Sequence, residues 1–231
     1  MLESAAMPNN PSVKARARKI KLILFDVDGV LTDGKIWIFP APSGSQTGAP
    51  SKLRLGGDVA THQSTPDLSA QHAGPGGFGF QSASLIEAKG FHAHDGTAIS
   101  LARLAGLKTG LITKRISETV ALRARDLKMD HVYQGIQDKL TVFRQILEKE
   151  GITAAEAAFV GDDVIDLPVM RKCGFAVAVK NARAEVKAEA DWVTPHAGGD
   201  GAARDAVEYV LKAQGKWKQV VGEYISERSP N

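Results

Sequence analysis

A single cysteine, Cys173, occurs in the 231 residues, which excludes an internal disulfide and fits a reducing compartment. Its place at the end of an apolar helical stretch, just before Gly174, reads as packing. No apolar run approaches the length of a membrane span, and the first residues lack the apolar core of a secretion signal, so a cytoplasmic protein without a membrane partner is expected. A basic face is missing too. The formal net charge of +3 comes entirely from the first twenty residues, where Lys14, Arg16, Arg18 and Lys19 stand against Glu3, and the remainder is balanced. Nucleic acid is therefore not an expected partner, and the arm over 1–19 reads as a disordered, solvated tail. Large apolar residues are scarce from 40 to 79, where Gly, Pro, Ser, Gln and Ala dominate. Such a stretch cannot bury enough surface to offset its ordering entropy and is expected to form a long mobile loop.

The most informative stretch is LILFDVDGVLTDG, residues 22–34. Its apolar start reads as a strand buried on both faces, as in a parallel sheet, and Asp26 and Asp28 follow at the carboxyl end, where open α/β sheets bind ligands. On a strand the two carboxylates point to the same side and repel unless a cation or a proton lies between them. Residues 35–39 alternate like a strand and 84–94 form a second, so the insert reads as a β-hairpin with a long irregular tip. From residue 95 the pattern is regular. Helices are expected over 95–105, 116–127, 137–150, 164–172, 182–190 and 202–213, and strands over 107–113, 131–134, 157–163, 175–179 and 191–194. Thr153 and Glu156 have capping-box spacing. This alternation predicts an α/β fold, a Rossmann-like, mostly parallel sheet with helices on both faces. The domain reads as 20–214, with the hairpin insert at 35–94 and a weakly patterned C-terminal tail over 215–231.

Polar residues close three of these strands: Asp26 with Asp28, Thr113, and Asp162 with Asp163. Lys139 belongs to the same edge. The set reads as an acidic site for a hard cation such as Mg²⁺ together with a hydroxyl and an ammonium that hold an anion. Phosphoryl transfer, where catalysis is mainly positioning and charge neutralisation, is the chemistry this suggests. His92 and His94 lack a third clustered ligand and read as packed or exposed rather than metal-binding.

In order and spacing, DVDGV, Thr113, Lys139 and GDDVID resemble the four motifs of the haloacid dehalogenase superfamily. The resemblance implies that Asp26 attacks phosphorus to form an aspartyl-phosphate, and that Asp28 protonates the leaving oxygen and then activates water. It further implies that Thr113, Lys139 and Gly29 bind the phosphoryl group. Mg²⁺ would be held by Asp26, the Asp28 backbone carbonyl and Asp162, with Asp163 and Asp166 supporting these ligands or capping a helix.

DGVLTDG, HDG (94–96), QGIQDK (134–139), GDDVIDLPVM and GGDGAARD (198–205) are similar to the small-capped 3-deoxy-D-manno-octulosonate 8-phosphate phosphatases, in which a β-hairpin serves as a minimal cap. That similarity implies an acidic sugar phosphate of lipopolysaccharide biosynthesis as substrate and a homotetramer whose subunits help close each other's sites. Arg115, Lys114 and Arg204 are the substrate-binding candidates. Two features depart from the pattern: Lys114 stands where the family usually has glycine, and the hairpin tip is about forty residues longer than a short turn. The alternatives are a nonulosonate 9-phosphate phosphatase, which shares the chemistry, and a non-catalytic oligomerising module of the same fold. A phosphoacceptor receiver domain fits less well, because its acceptor aspartate lies on a middle strand after an acidic pair.

Overall fold

Leu22–Phe25 forms β1, and all four of its side chains are buried, as a strand covered on both faces requires. In a computed structural model that describes residues 11–40 and 85–226, this strand lies inside a six-stranded sheet. The other strands are β4 (Lys108–Ile112), β5 (His131–Tyr133), β6 (Ala157–Gly161), β7 (Phe175–Ala178) and β8 (Trp192–Val193), in the order β5-β4-β1-β6-β7-β8. Every pairing is parallel, with Phe25 level with Leu111 on one side and Val160 on the other. Helices α2 (Ala93–Leu104), α3 (Glu118–Asp126), α4 (Lys139–Glu150), α5 (Leu167–Met170) and α6 (Ala184–Glu189) precede successive strands of the sheet, and α7 (Ala202–Ala213) follows the last one. The fold class read from the sequence is thus the one observed.

Local chemistry explains most boundaries. Ser117 caps α3 by accepting from the Val120 N–H at 3.4 Å, and Gly151 ends α4 in the left-handed conformation. Thr153 and Glu156 form the expected capping box, closed by Glu156 accepting from the Thr153 N–H at 2.8 Å. The helix expected over 164–172 is shorter. A turn of 3₁₀ helix at Val164–Asp166 leads into the four-residue α5, because Asp163 and Asp166 form a second capping box there.

Two expectations are corrected. The arm is not wholly irregular: Pro11–Ala17 forms helix α1, which packs on α7. Val13 and Ala17, four residues apart, turn inward with 7% and 0% exposure, while Arg16 reaches Asp191 at 2.9 Å. The C-terminal tail is also helical, as α8 (Trp217–Ser226). It packs on α2 and α7, buries Val220 and offers the Trp217 ring to the Arg204 guanidinium, 4.9 Å from its centroid. Trp192 stacks on Tyr209, which stacks on Phe175 in turn.

Contacts divide the chain into two units, residues 1–35 with 89–231, and residues 36–88. In the smaller, β2 (Trp37–Pro40) pairs antiparallel with β3 (Leu85–Ala88), which is the expected hairpin. Its long tip falls outside the described residues. Among the described residues, no helix is long and apolar enough to cross a membrane.

Candidate active site

Because β1 lies between β4 and β6, the residues that leave these three strands, Asp26, Thr113 and Asp162, meet at one edge of the sheet. Asp26 is still held in register, its N–H donating to the Val160 carbonyl at 3.0 Å. Both backbone groups of Thr113 are occupied, the N–H by Tyr133 and the carbonyl by Ile136, so its hydroxyl is the polar group left at that strand end.

Lys139, the first residue of α4, extends into the same place. Asp138 starts the helix by accepting from the Thr141 N–H at 3.1 Å, and Lys139 itself is only 3% exposed. Its Nζ lies 2.8 Å from Asp26 Oδ1 and 2.7 Å from Asp166 Oδ1. Burial disfavours the ammonium, but the two carboxylates outweigh it and hold the Lys139 pKa above the ordinary lysine value. Asp166 is fully buried. Its second oxygen accepts from the N–H groups of Asp162 at 3.0 Å and Asp163 at 3.4 Å, so it ties Lys139 to the loop carrying Asp162. Asp163 is exposed and turns back to accept from the Val164 N–H at 2.7 Å, as a capping residue should.

Carboxylate oxygens of Asp26, Asp162 and Asp166 lie within 4.8 Å of one another. Three carboxylates against one ammonium leave two negative charges without a partner. Burial, followed by repulsion from Asp26 and Asp166, pushes Asp162 up to about 7. Burial and Asp166 raise Asp26 to about 6 against the opposing pull of Lys139. Asp162 Oδ1 is also buried, with no hydrogen-bond partner among the described residues. An unpartnered buried oxygen in an anionic oxygen cage is what a hard divalent cation satisfies, and the donor set fits Mg²⁺.

Asp28 departs from the expectation of two carboxylates sharing one face. The strand ends at Phe25, and the chain turns through three N–H groups, those of Val30, Leu31 and Thr32, converging on the Val27 carbonyl. This turn carries the Asp28 carboxylate out of the cluster and toward cations of its own. Oδ1 accepts from Lys89 Nζ, and Oδ2 faces Arg115 Nε at 3.6 Å. Gly29, which follows, has φ +93°, and an added Cβ would overlap the Asp162 carboxylate. Gly198 closes against the same turn, where an added Cβ would strike the Gly29 carbonyl. The GGDG segment thus braces the Asp26 turn. Asp95 of the HDG segment holds it from behind by accepting from the Arg204 N–H at the start of α7, at 2.8 Å.

The substrate candidates fare differently. Arg115 stands at the site, its side chain about half exposed at 47%. Lys114 is exposed beside it, and its backbone is not left-handed, so glycine is not required there. Arg204 donates to Glu208 at 3.1 Å and stacks over Trp217. His92 and His94 pack edge to face and stand outside the cluster. Sequence reasoning missed Lys89, for which the only available signal was a lysine at the end of an amphipathic strand.

The parallel sheet and its carboxylate, hydroxyl and ammonium edge define a haloacid dehalogenase-like hydrolase, and that family matches this chain over residues 113–204. The 3-deoxy-D-manno-octulosonate 8-phosphate phosphatase of Salmonella typhimurium is 34% identical over 94% of this chain and 93% of its own length. The corresponding Yersinia pestis protein is 30% identical over 93% and 92%. Among solved structures, the phosphatase of that name from Moraxella catarrhalis, in complex with magnesium, phosphate and KDO, matches with TM-score 0.70 and 29% identity, covering 92% of this chain and 97% of that one. A cobalt-bound Haemophilus influenzae form matches with TM-score 0.66 and 26% identity, over 89% and 98%. This chain belongs to that family of haloacid dehalogenase-like phosphatases.

Proposed function

We propose that this protein is a Mg²⁺-dependent phosphatase that hydrolyses 3-deoxy-D-manno-octulosonate 8-phosphate in the cytoplasm through an aspartyl-phosphate. The observation that carries this reading is the joining of Asp26, Lys139, Asp162 and Asp166 at one strand edge in a chain 34% identical to such phosphatases along almost its whole length.

Asp26 and Asp162 side chains and the Asp28 carbonyl hold Mg²⁺, with Asp166 fixing Lys139 and the Asp162 loop behind them. The bound cation supplies charge neutralisation for the phosphoryl oxygens and for Asp26. Thr113, Lys139 and the backbone at Gly29 take the phosphoryl oxygens. A carboxylate oxygen of Asp26 attacks phosphorus while the bond from phosphorus to the sugar oxygen breaks, and Asp28 gives that oxygen its proton. Asp28 then takes a proton from water as the water oxygen attacks phosphorus of the aspartyl-phosphate, the bond from phosphorus to the Asp26 oxygen breaks to restore its carboxylate, and inorganic phosphate leaves. Arg115, beside Asp28 and open to solvent, suits the substrate carboxylate, and Lys114 adds a second cation there.

The assembly is a homotetramer. The hairpin leaves Trp37, Ile38, Phe39 and Ile86 between 47% and 61% exposed, more apolar surface than two strands are expected to keep in water. Analytical ultracentrifugation distinguishes this from a monomer.

Phosphate release from a panel of sugar-acid phosphates, with Mg²⁺ and with a chelator, tests the activity. The expected result is Mg²⁺-dependent turnover of the octulosonate ester, abolished by Asp26→Asn. Preference for a nine-carbon 9-phosphate would move the assignment to a nonulosonate phosphatase, and Lys114→Gly on the same panel shows whether that lysine sets the choice. Equal turnover by Asp26→Asn would remove the nucleophile assignment, and no turnover of any ester would favour an oligomerising module.

A further inference from the structure

Asp28 is held by a lysine outside the four motifs. Lys89 comes directly after β3 and before the HDG segment, and its Nζ donates to Asp28 Oδ1. The lysine side chain is 0% exposed, against 19% for that of Asp28. A buried ammonium is costly unless an anion faces it, and among the described residues the ion pair recorded for Lys89 is with Asp28. The neighbourhood is asymmetric. Asp28 Oδ1 has a close donor, whereas Oδ2 is buried, accepts no hydrogen bond among the described residues and faces Arg115 Nε at 3.6 Å.

We infer that Lys89 is a positioning residue for the proton transfer at Asp28. By occupying Oδ1 it fixes the carboxyl rotamer and leaves Oδ2 as the oxygen that delivers the proton to the leaving group and later takes one from water. No new bond is made by Lys89 itself. The inference rests on the proposed reading of Asp28 as acid and base. It goes further in separating the two oxygens and in giving a buried residue beyond the motifs a part in the reaction.

Leaving groups distinguish this role from a merely structural one. A sugar alkoxide needs a proton as it departs, whereas a p-nitrophenolate does not, and kcat/KM reports only the steps up to transfer onto Asp26. Lys89→Met is expected to lower kcat/KM for octulosonate 8-phosphate by about 100-fold or more, the usual range for a misplaced general acid, and for p-nitrophenyl phosphate by less than about fivefold. Asp28→Asn should show the same selectivity. Equal losses on both esters in Lys89→Met would make the lysine structural and overturn the inference. If that variant does not fold, Lys89→Gln, which keeps a donor to Oδ1, carries the test: its loss must again fall mainly on the sugar ester, and equal losses refute the role. Selectivity in Asp28→Asn without selectivity in either lysine variant removes the inference alone, whereas its absence from Asp28→Asn removes the reading of Asp28 as well.

Discussion

Replacing Asp166 by asparagine removes one negative charge beneath the site while leaving its shape unchanged. In the wild type one oxygen of Asp166 takes the Lys139 ammonium at 2.7 Å and the other takes the Asp162 N–H at 3.0 Å. Whichever way the new amide turns, its NH₂ group faces a donor, either the ammonium or the backbone N–H groups. Both side chains are buried, at 2% and 0% exposure, so solvent screens little of the loss. Breaking a buried pair costs about 3–5 kcal/mol, and because Lys139 keeps Asp26, the lower end, about 3 kcal/mol, applies. At roughly 2–4 °C per kcal/mol for a chain of this size, Tm should fall by about 6–12 °C. The charge left for a cation drops from two to one, and the Asp162 loop loses its anchor. The Mg²⁺ concentration for half-maximal phosphate release should therefore rise about 10- to 100-fold, with a smaller loss of rate at saturating Mg²⁺. Thermal denaturation of the metal-free protein and a Mg²⁺ titration of activity measure both effects. An unchanged Tm together with an unchanged Mg²⁺ requirement would show that Asp166 does not hold Lys139 and Asp162 as described.

The metal-free protein should lose stability as pH rises from about 4 toward 7, because Asp26 and Asp162, raised to about 6 and about 7, bind protons in the folded state that the unfolded chain has released. Mg²⁺ displaces those protons, so the Tm gain on adding Mg²⁺ should be larger at about pH 7.5 than at about pH 5.5, and an equal gain at both would contradict the raised values. Gly29→Ala puts a methyl group at φ +93° into the Asp162 carboxylate. Phosphate release should fall about 100-fold, as expected for a displacement of roughly 1 Å near the chemistry, and full activity would rule out the close approach. Cys173 is buried and its thiol is pushed up to about 12, chiefly by burial, so it should resist an aromatic disulfide reagent until the protein unfolds. Rapid native labelling would place the thiol at the surface.

Features whose cause lies within a few residues were legible in advance. The run before Asp26, the Thr153–Glu156 box and helix α7 at Ala202–Ala213 appear where local pattern puts them. The α1 and α8 helices were not legible. Seven residues of arm are too short to be helical alone, and α1 exists because it packs on α7 and β7 with Val13 and Ala17 buried. Likewise Arg204, read as a substrate candidate from its motif, is drawn to Glu208 and Trp217 by a helix the tail pattern did not announce.

The site divides the same way. Strand-terminal carboxylates, a hydroxyl and a lysine on alternating β/α units must share one edge of a parallel sheet, so the sequence alone determined the metal-binding chemistry and the family. Which carboxylates face one another is set by distances across the sheet, and only the tertiary structure decided that. The turn after Phe25 takes Asp28 away from Asp26, and Asp166 enters beneath Asp162 in its place. Lys89 meets Asp28 across sixty-one residues of chain, a contact no local pattern encodes, and it exists because a fully buried ammonium is too costly to leave without an anion.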